Sequence, residues 1–428
     1  TAAPQIEGAA HSDGKTDSIW DVFARIPGKI LGNDTPERAC DHYNRWEDDV
    51  TLLQDLGVNA YRFSIAWPRI MPAFSGPVNQ KGLDFYKRLV DRLLENHIEP
   101  FVTLHHWDLP QYLQERGGWA SRETVSVFCD YTETVVKELG DRVRYWVPIN
   151  EPSVIANLGH AVGIFAPGIR DYQAYLAVTH HLNLAHAAAT QRIKAILPQS
   201  QVGTAVTLFT VSPKTSADAA AAIKMSDAWG DNFLRPFYTG DYPESIAQDL
   251  QKYIYAGDSE ALRQKPDFIG INHYTPHIAW EDAASVVGES IMAAHDDLSE
   301  NNTDFGWKIC PDDFYQTLQR LKKNYDNPVI MVTENGCAYN DAPDEQGRIR
   351  DTRRIAYLER YLSSLQKARQ DGCNISGYFL WSFMDNFEWA SGYGQRFGIT
   401  YVEYESMKRK KKDSFEWYKN YIQSHIAE

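Results

Sequence analysis

Cysteine is sparse and unpatterned in this chain. Cys40, Cys129, Cys310, Cys337 and Cys373 are dispersed over 428 residues, odd in number and without a CxxC pair. Neither a disulfide framework nor a structural zinc site is expected, and reduced thiols are. Positive charge is also in deficit: 43 basic against 57 acidic side chains leave a formal charge of −14, which argues against nucleic acid and anionic membrane as partners. The one dense basic run, Lys408 to Lys412, reads as a solvated turn before a C-terminal helix. No apolar run is long enough to span a bilayer. No basic stretch followed by an apolar one opens the sequence, so a cytoplasmic location is expected. HExxH, GxGxxG and Walker patterns are all missing, which leaves a metal hydrolase or a nucleotide cofactor without support. His105 and His106 lie near Asp108, but neighbours on a strand point to opposite faces, so no metal site is expected there.

What is present is a pair of carboxylates, each directly after a short β-prone run: Glu151 in Val147-Pro148-Ile149-Asn150-Glu151-Pro152, and Glu334 in Val332-Thr333-Glu334-Asn335-Gly336. Between and around them strands alternate with helices. Strand-like runs occur at 59–65, 100–104, 143–149, 202–208, 268–271, 329–332 and 375–380. Helical patterns precede several of them, as in Glu47 to Leu56 with its Gly57 stop, Leu83 to Asn96, and Tyr175 to Leu197. The segments Glu281 to Thr303 and Tyr339 to Gly347 are polar and turn-rich and read as loops. The alternation predicts an α/β fold, a (β/α)8 TIM barrel with extended βα loops, as a single catalytic domain over 1–428. Seven strands do not close such a barrel. The first is expected at or before Thr1, truncated at the N-terminus, with Thr1 to Gln5 as its tail.

A barrel returns both Glu residues to one rim, where a proton donor and a carboxylate nucleophile can together cleave a glycosidic bond. A separation of ~5 to 5.5 Å between the carboxyls gives retention, and ~6.5 to 9.5 Å gives inversion. Arg62, at another strand end, can pair with an ionised carboxylate, or form a structural ion pair. Asn150, Asn272 and Tyr274 offer polar tips to a sugar, or cap backbone. Aromatic plates suit the C–H faces of sugars: His105-His106-Trp107-Asp108 follows one strand, and Trp381, Glu388 and Trp389 follow the last. Core or loop packing is the other reading of these rings. Cys337, three residues past Glu334, stands close enough to line the site.

These residues resemble glycoside hydrolase family one, the β-glucosidase family of retaining (β/α)8 barrels. The likeness runs from Gln5-Ile6-Glu7-Gly8 through Tyr61-Arg62-Phe63-Ser64, Leu104-His105-His106-Trp107-Asp108-Leu109-Pro110, Asn150-Glu151-Pro152 and Thr333-Glu334-Asn335-Gly336 to Trp381-Ser382-Phe383-Met384-Asp385-Asn386-Phe387-Glu388-Trp389. It implies that Glu151 is the acid and then the base, and that Glu334 attacks the anomeric carbon. Arg62 and Tyr274 would orient Glu334 and keep it ionised, and Asn150 would contact the 2-hydroxyl. Gln5, His106, Glu388 and Trp389 would bind the remaining hydroxyls, with Trp381 as the stacking floor. Asn272 would join the polar shell, Phe397 would close the pocket, and Trp307 would be the aglycone-side aromatic. Pro148 removes a backbone donor just ahead of Glu151 and signals a bulge or a shifted Glu151.

The implied activity is that of a retaining β-glucosidase acting on cellobiose, short cello-oligosaccharides and aryl β-glucosides, a step of cellulose degradation. Some β-galactosidase or β-fucosidase activity is expected beside it. The alternatives are a 6-phospho-β-glucosidase, which Glu388 disfavours because it would repel a phosphate, a transglycosylase, and an inactive carbohydrate-binding barrel. No cofactor is required, the expected partner is a small β-glucoside or oligosaccharide, and a homo-oligomer is a family-level expectation.

Overall fold

The computed structural model describes residues 1–425. Its strands are β1 (Ala60–Ser64), β2 (Glu99–His105), β3 (Tyr145–Ile149), β4 (Gln201–Val202), β5 (Val206–Thr207), β6 (Val211–Pro213), β7 (Ile269–Asn272), β8 (His277–Glu281), β9 (Glu289–Ala293), β10 (Ile330–Asn335), β11 (Ile375–Leu380), β12 (Thr400–Glu403) and β13 (Lys408–Lys411). Parallel ladders run β1-β2-β3-β4 and β5-β7-β10-β11. They are joined by parallel bridges between Asn150 and Ala205 and between Gly203 and Phe268. The run expected as one strand over 202–208 is therefore two short pieces. It leaves the β3 ladder at Val202 and enters the β7 ladder at Val206. Gly203 permits the crossing, because a Cβ there would stand 2.3 Å from the Phe268 ring. Strand and helix alternate as a (β/α)8 barrel requires.

Apolar spacing decides how the helices lie. In Gln80–Glu95 the residues Leu83, Tyr86, Leu89, Val90 and Leu93 recur at helical period and are all buried, so this stripe faces the strands. The helix His42–Leu56 stops where Gly57 takes φ +77° and its N–H turns back to Leu53 O. Inside the barrel, Phe101, Val147, Ala205 and Phe268 form a separate apolar cluster against Tyr145, Val329, Met331 and Phe379. The Phe101 ring lies 5.4 Å from Phe268 and 4.9 Å from Phe379. Each such buried aromatic contributes about 2–3 kcal/mol. The cluster plugs one end of the barrel, and the polar residues gather at the other.

Three expectations are corrected. The opening residues are extended only as far as Ala2; Ala3–Ile6 is a helical turn, because Pro4 lacks the N–H that a ladder needs and suits a first turn. The segment 281–303 is not all loop. β8 and β9 form an antiparallel hairpin, with β6 parallel to β8, and the cross-strand pairs Ile278–Met292 and Ala279–Ile291 supply its apolar contacts. Lys408 to Lys411 is strand β13, paired with β12, and Lys412 is buried against Asp385 at 2.8 Å. By contrast 339–347 is loop, as expected.

β11 and β1 flank a slot lined by Thr1, Tyr61, Arg62, Tyr378, Leu380 and Phe383, among others. Thr1 is buried there, its backbone nitrogen donating to Arg62 O at 2.8 Å and its hydroxyl bonded to Tyr61 OH at 2.7 Å.

Candidate active site

Thr207 and Asn272 close β5 and β7, Glu334 is next to last in β10, and Arg62 lies midway along β1. Glu151 follows β3 with φ +44° and ψ +61°, and Pro152 opens the next helix in the position proline favours. The Glu151 N–H donates to Ala205 O at 2.7 Å, and the Asn150 N–H to His105 O at 2.9 Å. The register of β3 on β2 runs from Val147 to Ile149 without a shift, so Pro148 neither makes a bulge nor displaces Glu151. A shift does occur on the other side: the pairing of β10 with β7 slips between Val332 and Glu334. Such an irregularity re-aims a side chain at a barrel rim. Gly336 is obligatory just beyond, since a Cβ there would lie 1.7 Å from Trp381 O.

Arg62 holds two neighbours with one planar fork. Its Nη1 donates to Glu334 Oε1 at 2.7 Å and its Nη2 to Asn150 Oδ1 at 2.5 Å. The second Glu334 oxygen accepts from Tyr274 OH at 2.7 Å. Because Arg62 can only donate, the Asn150 amide is fixed with Oδ1 toward it and Nδ2 toward His106 Nε2 (3.0 Å) and Glu151 Oε2 (3.3 Å). Asn272 Nδ2 donates to the same Asn150 Oδ1 at 3.2 Å, and Asn272 Oδ1 accepts from Thr333 Oγ1 at 2.7 Å.

Thr207, absent from the sequence-derived candidates, donates to Glu151 Oε1 at 2.6 Å. Thr207 is the last residue of β5, but inside the single strand expected over 202–208 it carries no strand-end signal. Burial, and then the nearby Glu334 charge, push the Glu151 carboxyl up to about 8, against the Thr207 and Asn272 side chains and the Arg62 charge, which favour the ionised form. Glu151 is thus protonated at neutral pH beside a carboxylate whose oxygens are both held. That arrangement can give a proton to a leaving oxygen while a nucleophile attacks.

A polar pocket lies alongside. Gln5 Nε2 donates to Asn386 Oδ1 (2.9 Å), Phe387 O (3.0 Å) and Glu388 Oε2 (3.3 Å). Gln5 Oε1 and His106 Nδ1 are buried without a partner. Buried polar atoms ordinarily are satisfied, and a hydroxylated ligand supplies what these two lack. Burial, with Glu334 and Glu151 adding, pushes Glu388 up to about 8. The His106 ring lies nearly parallel to Trp381 at 6.1 Å and to Trp389 at 6.0 Å. On another wall Trp307 stands 5.4 Å from Tyr274 and 5.9 Å from Phe397. The structure therefore brings the sequence candidates into one constellation of linked contacts. His105 is turned away from it, accepting from Trp119 Nε1 at 3.3 Å. Cys337 is buried beside Arg354, and burial pushes its thiol up to about 12. Among the described residues no three His, Cys, Asp or Glu side chains converge as metal ligands.

The model of the family described as glycosyl hydrolase family 1 matches residues 1–426. The chain belongs to this family. Family 1 membership makes it an O-glycoside hydrolase, and its relatives agree in extent. Beta-glucosidase A of Thermotoga maritima is 42% identical over 434 residues, covering 100% of this chain and 96% of the relative. Beta-glucosidase A of Acetivibrio thermocellus is 44% identical over 433 residues, covering 99% and 96%. The solved structure of the Thermotoga maritima beta-glucosidase in complex with deoxynojirimycin superposes with a TM-score of 0.92 at 42% identity, over 99% of this chain and 96% of that one.

Proposed function

We propose that this family 1 hydrolase is a retaining β-glucosidase that removes terminal non-reducing β-D-glucosyl residues from cellobiose, short cello-oligosaccharides and aryl β-glucosides. The observation that carries the reading is the pairing of a protonated Glu151 with Glu334 held by Arg62 and Tyr274. Glu334 attacks the anomeric carbon while Glu151 passes its proton to the departing oxygen. Once Glu334 is an uncharged ester, Glu151 loses its like-charged neighbour, its pKa falls, and it becomes the base that activates water. The Glu334 charge is the second-largest cause of the raised Glu151 pKa, and this mutual influence supports the close spacing that retention needs.

Gln5, His106, Asn150, Glu388 and Trp389 bind the sugar hydroxyls in this reading, with Trp381 beneath the ring, Asn272 and Phe397 completing the pocket and Trp307 against the aglycone. The unpartnered Gln5 Oε1 supports recognition of a hydroxyl in either equatorial or axial setting, hence some β-galactosidase or β-fucosidase activity. The Arg62 guanidinium is already committed to Glu334 and Asn150 and so is not free to pair with a phosphate dianion, which disfavours the 6-phospho alternative. The five unpaired cysteines support a reducing, cytoplasmic location and a role in the later steps of cellulose breakdown there.

The test is hydrolysis of a series of aryl β-glucosides by the wild type, Glu151→Gln and Glu334→Ala. Glu334→Ala is expected to abolish turnover. Glu151→Gln is expected to lose ~10²–10⁴-fold on poor leaving groups and far less on activated ones. An equal loss on both kinds of substrate removes Glu151 from the acid role. A folded wild-type chain that binds glucose without turnover leaves the inactive barrel in its place, and products with an alcohol acceptor measure transglycosylation.

A further inference from the structure

The peptide unit between Asn150 and Glu151 is held at both ends. Its N–H, on Glu151, donates to Ala205 O at 2.7 Å. Its C=O, on Asn150, accepts from the indole Nε1–H of Trp107 at 3.0 Å. This plane sets the φ of Glu151, which at +44° is in the left-handed region that side chains other than glycine rarely enter. Rotating the plane swings the Glu151 carboxyl across the site.

Trp107 is itself constrained. It is buried, at φ +76°, with its ring 4.4 Å from Trp389 and 5.8 Å from Phe165. Trp389, on the glycone wall, is left-handed too, at φ +51°. Three bulky left-handed residues are therefore connected through one indole: the ring leans on Trp389, and the N–H pins the peptide that carries Glu151. Conformations of this kind persist only where the surroundings over-determine them, and they gather at functional sites.

We propose that Trp107 is a positioning residue for the acid, transmitting the placement of the glycone wall to the Glu151 carboxyl. It touches no reacting atom and acts through the Asn150–Glu151 peptide. The proposal rests on Glu151 being the acid. The leaving-group series on Glu151→Gln tests that separately, so a flat series there sinks the acid role before Trp107 is considered.

Trp107→Phe keeps an aromatic ring and removes the donor. Its kcat/KM for alkyl and cellobiosyl leaving groups should fall by about 5–10-fold more than for 2,4-dinitrophenyl β-glucoside, the factor one neutral hydrogen bond supplies. The alkaline limb of its pH profile should move, while the inhibition constant of deoxynojirimycin changes by less than about threefold. A second variant covers the event that Trp107→Phe folds poorly: 3-benzothienylalanine at position 107 replaces N–H by sulfur in a ring of the same shape. Equal losses on all leaving groups, with an unmoved pH limb, in whichever variant folds overturn the proposal, as does wild-type behaviour.

Discussion

Thr207 Oγ1 donates to Glu151 Oε1 across 2.6 Å, from the strand segment adjoining the one that carries the acid. The donor favours the charged carboxylate and so opposes the burial that raises the Glu151 pKa. In Thr207→Val the alkaline limb of kcat/KM should move upward from about 8. Hydrolysis of the covalent intermediate, which needs the ionised base, should slow about 10-fold. Burst kinetics with an activated glucoside, followed over pH, measure both.

Tyr274 holds the Glu334 oxygen that Arg62 does not. Hydrogen bonds to charged groups contribute about 1.5–3 kcal/mol, so Tyr274→Phe should lower kcat by about 10–100-fold. Steady-state rates with 4-nitrophenyl β-glucoside give the ratio, and a change below threefold contradicts an orienting role.

Glu151 illustrates a trade of stability for chemistry. In the unfolded chain a Glu loses its proton near 4.5, whereas here the proton is retained up to about 8, so stability is lost as pH rises from 4.5 toward 8. Glu151→Gln cannot ionise and should be the more stable protein at pH 7 by about 1–3 kcal/mol. The gain should vanish below pH ~4.5. Thermal melts of the two proteins at pH 4 and pH 7 decide it, and a destabilised variant at pH 7 refutes the argument.

Lys412 is fully buried against Asp385, which also takes Arg396 and the Gly398 N–H. Removing one member of a buried pair costs about 3–5 kcal/mol. Lys412→Met should thus depress Tm sharply, while the exposed Lys408→Met stays within about 0.5 kcal/mol of wild type. Matching melts would return the whole basic run to the solvent.

The strands and the rim residues were legible because their signals are local. Ile375–Leu380 has its observed bounds in the sequence, and Glu151, Asn272 and Glu334 stand out as polar residues at apolar strand ends, whereas Arg62, expected at an end, is the middle residue of β1. What could not be read depends on distant partners. Lys408 to Lys412 looked solvated because Arg409 finds Asp49 at a separation of 360 residues and Lys412 finds Asp385 at 27. Thr207 lies inside the run 202–208 that reads as one strand, and its target follows from how the 203–207 crossing aligns with β3. The hairpin β8–β9 was hidden by the polar turn between its strands, closed by Asp282 N–H on Gly288 O at 2.9 Å. The Trp107 contact follows from a left-handed turn that no composition rule anticipates.

The clasp at Gln5 has a bearing on how the enzyme comes into being. Its side chain spans 381 to 383 residues to reach Asn386, Phe387 and Glu388, and its backbone carbonyl takes the Phe387 N–H in return. Domains fold as units during synthesis, from the N-terminus onward. A nascent chain that has emerged as far as residue 380 already carries both Glu151 and Glu334, yet Gln5 still lacks its partners. The pocket proposed to hold the sugar is therefore completed only when residues 386–388 have been made, and a product released before residue 388 has both carboxylates encoded and the Gln5 clasp unmade.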